Sequence, residues 1–497
     1  MRRRVQFGML KRLVSLCILC GTLAAAQRYE PNWKSVNSRP TPSWFTDAKF
    51  GIFIHWGVYS VPSFAPVLPN NLAYAEWYWH AITEGQKPGA NPVDAGSWVF
   101  HKRVYGAGFP YQNFAPMFRA ELFDPDHWAD VFAQSGAKYV VLTSKHHEGF
   151  ALWPSHEASK TWGRPWNAVE IGPHRDLLGD LSAAVRRKNI RMGYYYSLYE
   201  WYNPLWLSDK KRYVSEHMIP QFKDLVTHYR PDIIFADGEW ELPSSEWRSP
   251  ELLAWLFNDS PVKDKVVIND RWGKETRHTD GGYWTTEYTA GMSNADHPWE
   301  ESRGMGFSYG FNRDEQLKDY HTGRQLVLML VDTVSRGGNL LLDIGPTADG
   351  RIPVIMEERL HEIGNWLSIN GEAIYGTKPW KQSRQWSAGQ QPEVDYNQRF
   401  KTPYDVSKLA ESPEPGKAAI DAFFTEKPSG VYAILPRWPG RQFTIKQFDA
   451  SGLKSVTLLG LDRPLQWKVN GDSVSVELPE VPAKLMSQPA WVLKLAE

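Results

Sequence analysis

The stretch Pro231-Asp232-Ile233-Ile234-Phe235-Ala236-Asp237-Gly238-Glu239-Trp240 sets an unbroken apolar run directly before a carboxylate. A run that is apolar at every position, rather than at every second one, belongs to a strand covered on both faces, as in a parallel sheet. Asp237 then lies at the carboxyl end of that strand. The Asp-Gly pair could also be a simple hairpin turn. A hairpin needs a partner strand directly after it, whereas Pro243-Ser244-Ser245 follows here, so Asp237 is read as a chemical group delivered by a strand.

The same rhythm spreads outward in both directions. Apolar runs at 50–54, 139–142, 190–196, 266–268 and 340–342 are each followed by polar or aromatic residues and then by a helix. The helices have readable ends. Asp124 caps one with Pro125 in its first turn and Gly136 as its stop, and a second runs over 176–188 to Asn189. Others are expected at 215–229, 249–257 and 324–335, the last stopped by Gly337 and Gly338. Strand and helix alternating over roughly 300 residues fits a closed (β/α)8-type barrel of about 250 residues with insertions. A doubly wound sheet fits less well, because no Gly-rich dinucleotide loop follows the first strand. After Gly376 the texture changes to a Gln/Pro/Ser/Glu-rich segment at 380–417, read as linker plus irregular strands. Short β-prone runs with turns such as Asn470-Gly471-Asp472 follow, and they predict a C-terminal antiparallel β-sandwich. The expected division is a leader at 1–26, a catalytic barrel at 27–376, and linker plus sandwich at 377–497.

The leader is read from Arg2, Arg3, Arg4, Lys11 and Arg12, an apolar core at 13–23, and Ala24, Ala25 and Ala26. This is the pattern of a secretory signal peptide, too short for a membrane anchor. Leu19 before Cys20 argues against a lipid-modified start, and a mature chain beginning near Gln27 is expected. Both cysteines, Cys17 and Cys20, fall in the leader, so the exported chain has no disulfide and no thiolate metal site. Lys+Arg and Asp+Glu each number 56, giving a net charge of +0. That balance removes the pull toward nucleic acid or an anionic membrane and points to an uncharged partner. The 24 Trp, 22 Tyr and 22 Phe supply flat faces that suit the C–H faces of sugars as well as packing. Homo-oligomerisation is left open, and no cofactor is expected.

If the barrel is right, chemistry should collect just after the strands. His55-Trp56-Gly57 follows the first, and Lys145-His146-His147-Glu148-Gly149-Phe150 follows the second. Adjacent residues on extended chain point oppositely, so one of His146 and His147 would meet substrate while the other orients a neighbour. Neither His-x-His nor His-Glu-x-x-His occurs, which weighs against zinc, although a metal-dependent hydrolase using His55, His146, His147 and Asp237 is an alternative. Asp237 in its aromatic surround is placed to attack a sugar's anomeric carbon. Arg271, in Asn269-Asp270-Arg271-Trp272, could grip sugar hydroxyls or hold a structural carboxylate. Glu287 and Glu300 each stand beside aromatics, as suits a carboxyl kept protonated by burial and a nearby anion.

With these residues in place the chain resembles the α-L-fucosidases of glycoside hydrolase family 29. The motifs that carry the resemblance are Phe50-Gly51-Ile52-Phe53-Ile54-His55-Trp56-Gly57, Ala75-Glu76-Trp77-Tyr78, the Lys145 to Phe150 run, Phe235-Ala236-Asp237-Gly238-Glu239-Trp240 and Asn269-Asp270-Arg271-Trp272-Gly273. The resemblance implies a barrel followed by a β-sandwich and a retaining, exo-acting enzyme that releases terminal α-L-fucose from oligosaccharides or glycoconjugates. It implies Asp237 as nucleophile and a fucose pocket of His55, Glu76, Trp77, His146, His147, Tyr195 and Arg271, with Tyr74 and Phe235 nearby. Glu287 is the expected acid/base and Glu300 the fallback. The chain also resembles animal lysosomal fucosidases over 258–273, but it lacks cysteine after its leader, so a bacterial periplasmic or secreted enzyme is expected. A fucose-binding protein without turnover is the remaining alternative.

Overall fold

The computed structural model describes residues 28–69, 71–293, 296–394, 396 and 404–496. The expected leader, with Cys17 and Cys20, lies outside the described residues.

Eight parallel strands form one curled sheet in the order β5-β4-β3-β2-β1-β8-β7-β6. They are β1 Phe50–Ile54, β2 Tyr139–Lys145, β3 Arg191–Ser197, β4 Ile233–Asp237, β5 Val267–Ile268, β6 Trp284–Glu287, β7 Trp299–Gly304 and β8 Asn339–Ile344. The two ends of the sheet meet at a bridge between Asn269 and Tyr283. There the Gly282 N–H donates to Asn269 O at 2.9 Å and the Tyr283 N–H to Ile268 O at 3.1 Å. Asn269 also extends the neighbouring ladder with its side chain, which accepts from Ala236 N at 3.1 Å and donates to Ala236 O at 2.8 Å. The apolar runs thus became strands buried on both faces, as a barrel wrapped in helices requires.

Helix ends obey the local chemistry read from sequence. Asp124 accepts from the N–H groups of Asp126 and His127 at the head of Pro125–Ser135, and Gly136 ends that helix at φ 86°. Asp176 caps Leu177–Arg187 through Gly179 N. The helix expected at 215–229 is helical throughout and begins earlier, at Lys210, with a π-helical turn, Val214–Met218, between Lys210–Tyr213 and Ile219–Tyr229. Thr322 and Gln325 form a capping box at the start of Gly323–Ser335.

The C-terminal region holds a five-stranded antiparallel sheet, β13-β16-β11-β10-β9, and a three-stranded one, β12-β15-β14. Their strands are β9 Lys378–Trp386, β10 Ile420–Lys427, β11 Gly430–Leu435, β12 Gln442–Ile445, β13 Ser455–Leu458, β14 Trp467–Asn470, β15 Ser473–Glu477 and β16 Trp491–Ala496. Ile445, Val474 and Val476 of the small sheet share one core with Ala433, Leu435 and Leu493 of the large one. Part of the segment read as linker is β9, which pairs with β10 through two register shifts. Among the described residues no helix is long and apolar enough to cross a membrane.

Candidate active site

At the carboxyl ends of the strands lies a cavity of about 720 Å³, within the range of small-ligand pockets. Its floor is aromatic. Phe53 from β1 and Phe235 from β4 sit 4.9 Å apart, and Tyr195 from β3 stacks on Phe235 at 6.0 Å and 19°. All three occupy inward-facing positions, Tyr195 and Phe235 directly opposite each other on the neighbouring strands β3 and β4.

Asp237, the last residue of β4, is only 8% exposed. Its Oδ2 accepts from Tyr195 OH at 2.8 Å and its Oδ1 from Arg271 Nη1 at 2.9 Å. Burial alone would raise this carboxyl, but the guanidinium groups of Arg271 and Arg277 outweigh it and hold the group well below the usual carboxylate range. Asp237 is therefore an anion across the physiological range.

Arg271 joins that anion to a second carboxyl. Its Nη2 donates to Glu287 Oε2 at 3.1 Å, while Nε donates to Thr285 Oγ1 at 2.9 Å. Thr285 in turn donates to the buried Asp270 at 2.7 Å, so the guanidinium is clamped from behind. Of the two roles open to Arg271 in the sequence, the structure gives it carboxylates, and they are Asp237 and Glu287. Tyr74 OH donates to the other oxygen of Glu287 at 3.2 Å.

The histidines divide their work. His55 packs on Tyr309 at 4.7 Å and 26°, with Nδ1 2.6 Å from Asp343 Oδ1. Burial pushes His55 down to about 3 and Asp343 well up, each toward its neutral form. His146 lies parallel to Tyr195 at 5.4 Å, its Nδ1 buried without a hydrogen-bond partner and its pKa driven well down by burial. His147 is pushed down to about 4, by burial and against the pull of Asp237. Ser197 Oγ donates to Tyr199 O, so it accepts from His147 Nδ1 at 2.6 Å. His147 Nε2 then carries no proton and faces the Tyr195 hydroxyl at 3.4 Å and Asp237 Oδ2 at 3.5 Å. Glu76 accepts from Gly310 N at 2.9 Å, and burial pushes it up to about 7.

The structure thus gathers His55, Tyr74, Glu76, Trp77, His146, Tyr195, Phe235, Asp237, Arg271 and Glu287 around one cavity. His147 is not among the lining residues and stands behind Asp237 instead. Glu300 is also off the lining. It points into the lower barrel, where its Oε2 accepts from Tyr139 OH at 2.5 Å and burial pushes it up to about 8. The cavity also uses residues the sequence reading passed over. Tyr309 forms a wall, and Arg277 reaches Glu239 at 2.5 Å and Asp237 at 3.7 Å. Both come from irregular segments with no period to mark them. Trp240 and Lys274 stand at the mouth. Among the described residues no three His, Cys, Asp or Glu side chains are grouped to hold a metal ion.

The sequence model of the family described as Alpha-L-fucosidase matches residues 16–372, and that of the Alpha-L-fucosidase C-terminal domain matches 417–496. The chain belongs to the α-L-fucosidase family. Among its relatives, tissue α-L-fucosidase of Homo sapiens is 42% identical over 94% of this chain and 92% of its own length. The α-L-fucosidase of Dictyostelium discoideum is 46% identical over 74% of this chain and 79% of its own. Among solved structures, the α-fucosidase of Thermotoga maritima in complex with a mechanism-based inhibitor has a TM-score of 0.75 and 34% identity. It covers 95% of this chain and 100% of its own. This α-L-fucosidase is a glycoside hydrolase whose barrel mouth carries the two acids and whose sandwich accounts for the second family match.

Proposed function

We propose that this α-L-fucosidase is exo-acting and retaining, and that it works through a covalent fucosyl-Asp237 intermediate. The observation that carries the reading is the single guanidinium of Arg271 bonded to Asp237 and Glu287 at once. Two carboxyls within reach of one fork favour the separation of about 5–5.5 Å used in double displacement over the wider gap that inversion needs. Asp237, an anion held by Arg271 and Tyr195, attacks the anomeric carbon. Glu287 donates its proton to the departing oxygen, the glycosidic bond breaks, and an ester forms. Glu287 then takes a proton from water, which attacks the same carbon and frees both fucose and Asp237. The phenylalanine floor suits the apolar methyl of a 6-deoxy sugar, while His55, His146 and Glu76 face its hydroxyls. That the Thermotoga maritima relative takes a mechanism-based inhibitor supports the covalent step.

The decisive experiment assays an aryl α-L-fucoside with Asp237→Gly, Glu287→Ala and Glu300→Ala, each with and without azide. Azide should restore Asp237→Gly with inverted product and Glu287→Ala with retained product. Full activity in Asp237→Gly without azide would end the reading. The substrate is read as a fucosylated oligosaccharide or glycoconjugate rather than nucleic acid or membrane lipid. The leader is read as routing the enzyme to the periplasm or medium with a mature start near Gln27, which N-terminal sequencing of the exported protein tests.

A further inference from the structure

Strand β6 ends at Glu287, and the chain then turns through Tyr288 at a left-handed φ of 52°, a conformation bulky side chains seldom adopt. What holds this turn lies outside the barrel wall. The parallel register pairs Thr286 with Glu301 and Glu287 with Ser302. Side chains alternate along β7: Glu300 points inward to Tyr139 and Ser302 lines the cavity, so Glu301 points outward, away from the substrate. There its Oε1 accepts from Thr289 N at 3.0 Å, and its Oε2 accepts from the hydroxyl of Thr286 and, at 3.4 Å, from that of Thr289. One buried carboxylate therefore grips the residue before Glu287 and the second residue after it.

The grip is itself anchored. Further along the same segment, Arg336 donates to Met292 O, and its other terminal nitrogen donates to Asp332 at 2.8 Å. Asp332 accepts from Arg384 of β9 at 2.9 Å, so the segment after Glu287 is tied to the helix Gly323–Ser335 and to the first strand of the C-terminal sheets.

We propose that Glu301 is a positioning residue for Glu287: by fixing the turn from Thr286 to Thr289 it aims the acid/base carboxyl at the glycosidic oxygen. This rests on the reading of Glu287 as the acid/base. An acid matters most when the departing oxygen is strongly basic, so a misaimed Glu287 should be felt on a sugar leaving group and hardly on an activated phenol.

The test compares kcat/KM for 2-chloro-4-nitrophenyl α-L-fucoside and for an α-L-fucosyl-galactose that the wild type cleaves. It uses wild type, Glu287→Ala, Glu301→Ala and Glu301→Gln. Glu301→Ala should lose about 10–100-fold on the disaccharide and under about 3-fold on the aryl fucoside, the range of a misplaced general acid. Glu301→Gln, which keeps the shape and one acceptor oxygen, should follow the same trend with a smaller loss and carries the comparison if the alanine variant does not fold. Equal losses on both substrates, or none on either, beside a leaving-group-dependent Glu287→Ala would overturn the role of Glu301 alone. A Glu287→Ala variant without leaving-group dependence would take down the acid/base reading and this proposal together.

Discussion

Arg271 donates to one oxygen of each acid while its Nε is pinned by Thr285. A lysine has one point of charge and no fork, so Arg271→Lys cannot serve both carboxyls. We expect kcat/KM on an aryl fucoside to fall about 10²–10³-fold, the scale of losing one preorganised electrostatic partner. The pH-rate profile should move with it, because Asp237 loses the neighbour that offsets its burial and its pKa rises, shifting the acidic limb to higher pH. At the mouth, Trp240 is 36% exposed and lies nearly parallel to Trp77, at 6.2 Å and 22°. Its open face suits the C–H face of the departing sugar. Trp240→Ala should raise KM for a fucosylated oligosaccharide by about 10-fold, the worth of one good aromatic contact, while inhibition by free fucose stays unchanged. Sequence alone found Asp237 because an apolar run delivers it. It left Arg271 between two roles, since a guanidinium's partners are decided by which strand ends converge. It could not reach Tyr309 or Arg277, which enter the site from loops whose paths depend on the closed barrel.

At the level of elements, strands filled by aliphatic residues were readable and two others were not. Strand β6, Trp-Thr-Thr-Glu, and strand β7, Trp-Glu-Glu-Ser-Arg-Gly, lack an apolar run. Their inward positions serve the cavity and the tyrosines below it, and their outward positions hold Thr286, bonded to Glu301, and Arg303, whose Nη1 donates to Tyr404 O at 2.9 Å. Burial there is achieved by pairing charges and hydroxyls, which leaves no hydrophobic period to read. The junction of β5 with β6 has its own sequence cost. A Cβ on Gly282 would lie 1.8 Å from Ile268 O, a backbone atom that cannot swing aside. Gly282→Ala should therefore force the Asn269–Tyr283 bridge apart and destabilise the protein by about 1–3 kcal/mol, as overpacking does. Chemical denaturation checks this, and fucosidase activity should fall by more than the loss of folded protein explains.

Taken whole, the molecule buries several carboxyls at the expense of their charge. Burial pushes Glu76 and Glu301 up to about 7, and Glu148, Glu300 and Glu315 up to about 8. In the unfolded chain these groups lose their protons near the ordinary glutamate value, so between about pH 4.5 and 8 the folded state binds more protons. Their contribution to stability is intact below the unfolded value and is lost as pH rises through 7 to 8. His55 and His147 work the other way, since their depressed values cost stability only below about 6.5. The melting temperature should consequently fall as pH is raised from 6.5 to 8, where the five raised carboxyls outnumber the opposing group, Lys49, which burial lowers to about 8, and scanning calorimetry at those two values tests the sign.

Strand β5 is two residues long, and the sheet closes beyond it through a bridge at Asn269 and Tyr283. Arg271 stands on one side of that seam and Glu287 on the other. Warmth loosens a fold first where few bonds cross, and here such loosening would draw the arginine away from one of the acids it links. The enzyme would then behave like a circuit with a self-resetting fuse: catalysis fading several degrees before the circular dichroism changes, and returning on cooling.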